Sequence, residues 1–373
     1  MIIKNASVYQ EDGTFQTGDI YVKEDLFAKD SPDDHVVDAT NLYAIPGLTD
    51  IHFHGCVGYD FCDGTKEAIH SIAEYQAKNG VTTICPATMT LEEDTLAQIL
   101  QTAAEYENAD GAILCGINME GPYVSVKKKG AQNASFIRKP DIDMYHRLQK
   151  KSGNQIKLVA IAPEEEGAME FIEQLKDEVV LSLAHTAADY NIAMEAFGKG
   201  ASHVTHLYNA MQPFSHREPG VVGAAVDTPK CNVELICDGI HIHPSVVRAT
   251  FKMFGGDRVV LISDSMMAAG MPDGDYSLGG QAVKVAGKKA TLEDGTIAGS
   301  ATNLMDCVRT AVNTMGITLE QAIKCAAVNS AKAIGVYDKY GSITPGKVAN
   351  LVLLDQDLNI KAVIIKGKML SNL

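Results

Sequence analysis

The sequence predicts an α/β fold, a parallel (β/α)8 barrel carrying a small sheet domain built from both chain ends. Three observations lead there. Eight apolar, strand-like runs alternate with amphipathic stretches through the middle of the chain. Both ends read instead as short strands and turns. Run after run also turns polar at its C-terminal end, where such barrels place their chemistry.

The ends contain "MIIKNASVY", "GDIYVKE" and "HVVDATNLYAIPG" at the front and "GSITPGKVANLVLLDQDLNIKAVIIKGKML" at the back. This assigns 1–48 plus 340–373 to the small domain and 49–339 to the barrel. The barrel runs are "TDIHFHG", "VTTICPAT", "AILCGINMEG", "IKLVAIAPEE", "VVLSLAHTA", "HVTHLYNAM", "NVELICDGIHI" and "RVVLISDS". Stretches such as "TKEAIHSIAEYQAKNG", "TLAQILQTAAEYENA" and "ADYNIAMEAFGKG" supply helical periodicity between them. The piece "SLGGQAVKVAGKKATLEDGTIAGS" reads as a hairpin-like loop excursion. No short repeat or low-complexity tract interrupts the pattern.

Composition narrows the function. The 373 residues can bury an ample core, and 46% hydrophobic with 21% charged residues is ordinary for a soluble globular protein. A net charge of −15 argues against nucleic acid or an anionic membrane as partner. An anionic substrate would need local positive groups to hold it against that field. No apolar run approaches the ~18 residues that a membrane span needs, and no charged-then-apolar leader is visible. The eight cysteines are scattered without C-x-x-C spacing, several inside apolar runs. That pattern suits reduced core thiols in a cytoplasm.

The polar strand ends are His52 and His54, Glu120, His185, His206, His241 and Asp264. On a strand, His52 and His54 project to the same side. A metal ion would satisfy two such imidazoles, and so would two unrelated core hydrogen bonds. The pair alone does not choose. Histidine, Glu and Asp together on separate strand ends suit a divalent ion such as Zn²⁺ or Fe²⁺.

The set "PGLTDIHFHG", "MEGPY", "LAHTAADY", "THLYNAM", "REPGVVG", "DGIH" and "SDSMMAAG" resembles the N-acetylglucosamine-6-phosphate deacetylases of the amidohydrolase superfamily. The likeness runs over nearly the whole chain. It implies a metal-dependent TIM-like barrel flanked by a small β-sandwich from both chain ends. It further implies that Glu120, His185 and His206 bind one metal, and that His52 and His54 bind a second where two are present. One or two divalent ions per subunit follow. The likeness also makes Asp264 the residue that moves the proton, with a contact to a metal besides. The same resemblance makes Arg217, His241 and the backbone amides of Asn209 and Ala210 the sugar-phosphate contacts. Gln132 stands where some relatives have a substrate-binding histidine, and its amide would hydrogen-bond a sugar hydroxyl. A homodimer is implied, with Arg217 or His241 serving the neighbouring subunit's site in some relatives.

The implied reaction hydrolyses N-acetylglucosamine 6-phosphate to glucosamine 6-phosphate and acetate, in amino-sugar recycling. An amide is a poor electrophile, so these residue types make chemical sense. A divalent metal lowers the pKa of its water to roughly 7 and polarises a carbonyl. Asp264 would take the water proton and pass it to the departing nitrogen. His241 would stabilise the developing oxyanion. None of the cysteines is needed. The nearest rival substrate is the galacto epimer, N-acetylgalactosamine 6-phosphate. A cyclic-amide hydrolase or nucleobase deaminase on the same barrel would have no use for "REPG" with "THLYNAM". A non-catalytic, metal-free assembly protein of the same fold would be expected to have lost ligands, and metal content separates that class.

Other residues are read plainly. His203 is expected to face outward from its strand, His35, His70 and His146 to lie at the surface, and Lys127 to Lys129 to form a solvated face. His216 and His243 are left undecided, and Met266, Met267 and Met271 are assigned to loop packing.

Overall fold

A computed structural model describes residues 1–32, 35–107 and 110–370. Residues 33–34 and 371–373 of the expected small domain, and 108–109 at the tail of one expected helical stretch, lie outside the described residues.

The eight central runs become nine parallel strands. They are β1 (Leu48–Asp50), β2 (Val81–Ile84), β3 (Ile113–Leu114), β4 (Ile117–Met119) and β5 (Ile156–Ile161). After them come β6 (Val180–Leu183), β7 (His203–Val204), β8 (Asn232–Ile236) and β9 (Val259–Ile262). The run "AILCGINMEG" breaks in two because the chain changes partner there. Cys115 N donates to Ile84 O of β2, whereas Ile117 N donates to Gln155 O at the start of β5.

The strands pair in the orders β3-β2-β1 and β4-β5-β6-β7-β8-β9. A parallel bridge from Ala87 to Asn118 joins the two sets on one side. On the other, Asp264 N donates to His52 O at 2.9 Å and His54 N to Ser265 O at 2.7 Å. The parallel sheet therefore curls until its last strand hydrogen-bonds the segment after its first. All four residues of β2 and of β9 are buried, as parallel strands covered on both faces should be.

Helices fill the gaps: α1 (Lys66–Lys78), α2 (Glu93–Ala104), α3 (Ile142–Lys151), α4 (Ala168–Leu175), α5 (Tyr190–Lys199), α6 (Gly220–Val226), α7 (Pro244–Phe254) and α8 (Leu304–Asn313). Their starts are written locally. Thr65, Asp141, Asp189 and Asn303 each accept, with their side chain, a backbone N–H of the first turn that has no partner within the helix. From α1, Ile69, Ile72, Ala73 and Ala77 recur on one face and enter the core.

Both chain ends contribute to one eight-stranded sheet. Its order is Lys368–Met369, Ile360–Ile365, Leu351–Leu354, Tyr43–Pro46, Ile2–Tyr9, Phe15–Lys23 and Leu26–Ala28, with Val36–Asp38 also paired to Ile2–Tyr9. Ile3, Val22, Phe27, Leu351, Leu353 and Ile364 share a separate apolar core there.

The predicted excursion forms three antiparallel strands, Gly274–Leu278, Gln281–Ala286 and Lys289–Thr291. Its Leu278, Val283 and Val285 pack on Met89 and Met266, consistent with a packing role for Met266. Gln281 Nε2 donates to Ala131 O at 2.8 Å and ties the excursion to a neighbouring loop. Leu278 of this sheet, with Asp294, Thr296 and Ile297 just after it, lines the cavity described below.

Candidate metal centre and pocket

The strand β1 stops at Asp50, so His52 and His54 leave the sheet on irregular backbone rather than on a pleated strand. Both rings nevertheless point into one centre, with centroids 5.7 Å apart and both residues buried. Glu120 directly follows β4, His185 follows β6, His206 follows β7 and Asp264 follows β9. Three of these sit at left-handed backbone angles unusual for their types: φ is +44° at His185, +28° at His206 and +48° at Asp264. Such conformations persist where surrounding structure dictates them, and they cluster at functional sites.

The side chains converge on Glu120. Its Oε1 lies 3.1 Å from His185 Nε2, 3.1 Å from His206 Nε2 and 3.4 Å from His52 Nε2. The Nε2 atoms of His185 and His206 are 3.2 Å apart. His54 Nε2 stands 3.4 Å from both Glu120 Oε2 and Asp264 Oδ1. Among the described residues, His52, Glu120 and His206 form one group able to share an ion, and His52, His54 and Asp264 form another.

The outer hydrogen bonds fix which ring nitrogens face inward. His185 Nδ1 is 3.0 Å from Lys128 O, a carbonyl that can only accept, so Nδ1 carries the proton. His52 Nδ1 lies 2.9 Å from Glu234 Oε2, in the same arrangement. In both rings Nε2 is then the nitrogen turned to the centre, the one whose lone pair a bound cation would take in place of a proton. The loop reaching over His185 needs a glycine at its tightest point. Gly130 has φ +55°, and a Cβ there would come within 3.3 Å of the imidazole.

Electrostatics favour a cation. Burial opposes ionisation of Glu120, yet His52 and His185 hold its carboxyl well below the usual range. Burial likewise opposes charge on Asp264, but a hydrogen bond with His54 and the charge of His52 keep its carboxyl low. Burial opposes protonation of His52, which Glu234 and Glu120 outweigh, raising it well above the usual imidazole range. Several carboxylates in a buried pocket thus call for positive charge.

The residues fit a divalent transition metal. His52 Nε2 is buried and has no hydrogen-bond partner, an orphan that an ion would satisfy. Imidazole with carboxylate is a donor set for Zn²⁺ or Fe²⁺.

A cavity of about 520 Å³ opens over this centre. His241, Asn209 and Ala210 share its wall with Lys127, Lys128 and Lys129. The lysine run is therefore a cavity wall, not merely a solvated face, with Lys128 and Lys129 partly buried. His241 Nδ1 is 2.7 Å from Asp238 Oδ2. Burial opposes charge on His241, but that bond and the Asp238 charge raise its pKa.

Other expectations fare differently. Gln132 lines the cavity but both ends of its amide are engaged: Oε1 accepts from Thr90 N at 2.8 Å and Nε2 donates to Glu120 Oε2 at 2.9 Å. It braces the carboxylate, where the sequence reading gave it the sugar. Arg217 is exposed on the loop before α6 and is absent from the cavity wall of this chain. His203 does not face outward. It is fully buried, with Nε2 3.1 Å from Glu234 Oε1, because β7 turns it toward the interior. His216 is exposed, and His243 is an N-cap whose ring accepts from Ser245 N. His35 and His146 are exposed and His70 is partly buried.

Sequence reading missed Glu234 and Asp238. Glu234 had a signal: it is the one carboxylate inside the apolar run "NVELI". Asp238, three residues before His241, was read only as part of "DGIH".

Residues 43–370 match the amidohydrolase family. The chain is 38% identical to the N-acetylglucosamine-6-phosphate deacetylase of Bacillus subtilis, over 99% of this chain and 93% of that protein. It is 36% identical to the N-acetylgalactosamine-6-phosphate deacetylase of Escherichia coli O157:H7, over 87% of each chain. Among solved structures, a mutant N-acetyl-D-glucosamine-6-phosphate deacetylase from Mycobacterium smegmatis, in complex with N-acetyl-D-glucosamine-6-phosphate, superposes with a TM-score of 0.93. That pair shares 30% identity and covers 99% of this chain and 98% of the other.

Proposed function

The chain belongs to the amidohydrolase family, and from that premise we propose that it hydrolyses N-acetylglucosamine 6-phosphate to glucosamine 6-phosphate and acetate. The observation that carries this is the convergence of His185, His206 and His52 Nε2 atoms on one Glu120 oxygen beneath an open cavity. The division of labour is read as a metal-dependent (β/α)8 barrel over 49–339, with a small β-sandwich from 1–48 plus 340–373.

Glu120, His185 and His206 would hold one divalent ion, Zn²⁺ or Fe²⁺, and His52, His54 and Asp264 would complete a second position. The ion supplies Lewis acidity, making water nucleophilic near neutral pH and polarising the acetyl carbonyl. Asp264, kept ionised by its histidine neighbours, accepts the water proton at Oδ1 and returns it to the sugar nitrogen as the C–N bond breaks. His241 donates from Nε2 to the developing oxyanion, its other nitrogen being engaged by Asp238. The amide of Ala210, where φ is +51°, binds the phosphate, whereas that of Asn209, the other amide expected to do so, is already donated to His206 O at 2.9 Å. Arg217 reaches a phosphate from a neighbouring subunit, which makes the working unit a homodimer. The eight free thiols support a reducing, cytoplasmic setting.

The galacto epimer is the second reading, favoured by the Escherichia coli relative. Acetate release from a panel of N-acetylglucosamine, N-acetylgalactosamine and their 6-phosphates tests both. We expect the gluco 6-phosphate to be fastest. A faster galacto 6-phosphate would exchange the two readings, and no acetate from either would end both.

A further inference from the structure

The carboxylate of Glu234 occupies an unusual position. It lies on β8, inside the curled sheet and fully buried, one layer behind the centre. A lone carboxylate there is costly unless every lone pair is used. Here it is engaged three times. His52 Nδ1 meets Oε2 at 2.9 Å, the backbone N of His206 donates to the same oxygen at 3.0 Å, and His203 Nε2 meets Oε1 at 3.1 Å. The peptide carbonyl of the same residue also accepts from Leu207 N at 2.9 Å.

We infer that Glu234 is a positioning residue, fixing the tautomer and aim of His52 while pinning the backbone that carries His206. The inference rests on the metal reading above. Oε2 already accepts from the backbone N of His206 and stands as an acceptor toward His52 Nδ1, so Nε2 is the ring nitrogen left to face Glu120 Oε1 at 3.4 Å and Asp264 Oδ1 at 3.8 Å. That nitrogen is buried with no hydrogen-bond partner. His206 meanwhile holds a φ of +28°, and the hydrogen bond from its amide to Glu234 restrains that conformation. One buried side chain thereby couples ligands following β1 and β7. His203 is the third contact, completing the hydrogen bonding of the carboxylate on its far side.

Glu234→Gln keeps the shape and removes the charge. Its one oxygen can accept from His52 and His206 only through neutral hydrogen bonds, roughly half as strong as those to a carboxylate, so the hold on both is loosened, while its amide donates to His203 in the other tautomer. Full-length chain stripped of metal is titrated with Zn²⁺ against a chromophoric chelator, with circular dichroism confirming the fold. Outer-sphere partners of metal ligands typically contribute 10–100-fold to affinity, so Glu234→Gln should weaken Zn²⁺ binding by at least about tenfold. In a His52→Ala background the same substitution should cost clearly less, about threefold, since only the restraint on His206 is left to lose. A folded Glu234→Gln chain with wild-type Zn²⁺ affinity overturns the inference. So does an equal loss in both backgrounds, which would mark a purely structural role. Should the wild-type chain bind no Zn²⁺, the metal reading itself fails, and that outcome is separate from the other two.

Discussion

The terminal sheet and the centre of the curled sheet are built on opposite rules. In the terminal sheet, Ile3, Val22, Phe27, Leu351 and Ile364 bury apolar area against one another. At the centre, Glu120, Glu234 and Asp264 are buried among His52, His54, His185, His203 and His206. One region is held by area removed from water. The other keeps polar groups that burial disfavours, offset by their mutual hydrogen bonds and, on the metal reading, by an ion. A change in one region should therefore have a different signature from a change in the other.

The largest effect is expected at the shared ligands. His206→Asn removes an Nε2 that lies 3.1 Å from Glu120. Bound metal should fall, by elemental measurement, and turnover should nearly vanish while the circular dichroism stays native. A variant with full metal and full activity would break the contrast at its strongest point. Changing His52 should be milder if the Glu120 position is the main one.

Next comes Asp264→Asn, which keeps size but cannot accept a proton. A fall in kcat of at least about 10²-fold is expected, with substrate still bound. A near-normal kcat would remove Asp264 from the chemistry.

These two residues also show how far a sequence can be read. Asp264 and His206 close apolar runs, and a polar residue at a strand end is visible in one dimension. The eight strand-like runs were legible for the same reason, as was the pairing of both chain ends into one sheet. What was hidden depended on partners distant in sequence. His203 looked outward because strand alternation was counted from His206. The strand itself, however, comprises only His203–Val204, so the count crossed a turn. Gln132 looked like a sugar contact until Thr90 and Glu120 were seen on either side of it. Glu234 needed His52, 182 positions away, before its role could be stated.

A smaller effect is expected at Arg217, whose planar fork suits two phosphate oxygens. A hydrogen bond to a charged group contributes roughly 1.5–3 kcal/mol, so Arg217→Ala should lower kcat/KM by about 10- to 100-fold. The loss should fall on the phosphorylated sugar and spare the slow reaction with N-acetylglucosamine. Equal losses on both would mean that this exposed arginine supports structure or chemistry instead. Because Arg217 lies off the cavity wall of its own chain, mixing Arg217→Ala subunits with Asp264→Asn subunits should recover activity in the hybrids. No recovery would place both residues in the same subunit's site.

The least effect on catalysis is expected where the two regions touch. The strand Leu351–Leu354 has residues of alternate faces in different cores, as a period of two requires. Leu351 and Leu353 belong to the terminal core, whereas Val352 and Leu354 pack with the main one. Leu353 and Leu354 are adjacent, identical in type and 1% and 0% exposed, so they isolate the face from the chemistry of the side chain. Leu353→Ala and Leu354→Ala should each cost about 2–5 kcal/mol through lost burial and the cavity left behind. Below the unfolding transition, neither should alter bound metal or kcat, because neither side chain reaches the polar centre. The shared strand also predicts that the terminal sheet unfolds together with the rest. Far-ultraviolet circular dichroism and loss of bound metal should therefore follow one denaturant curve in both variants. If Leu353→Ala instead released a separate early transition with the metal retained, the terminal sheet would be an independent folding unit. The two regions would then differ in cooperativity as well as in what holds them.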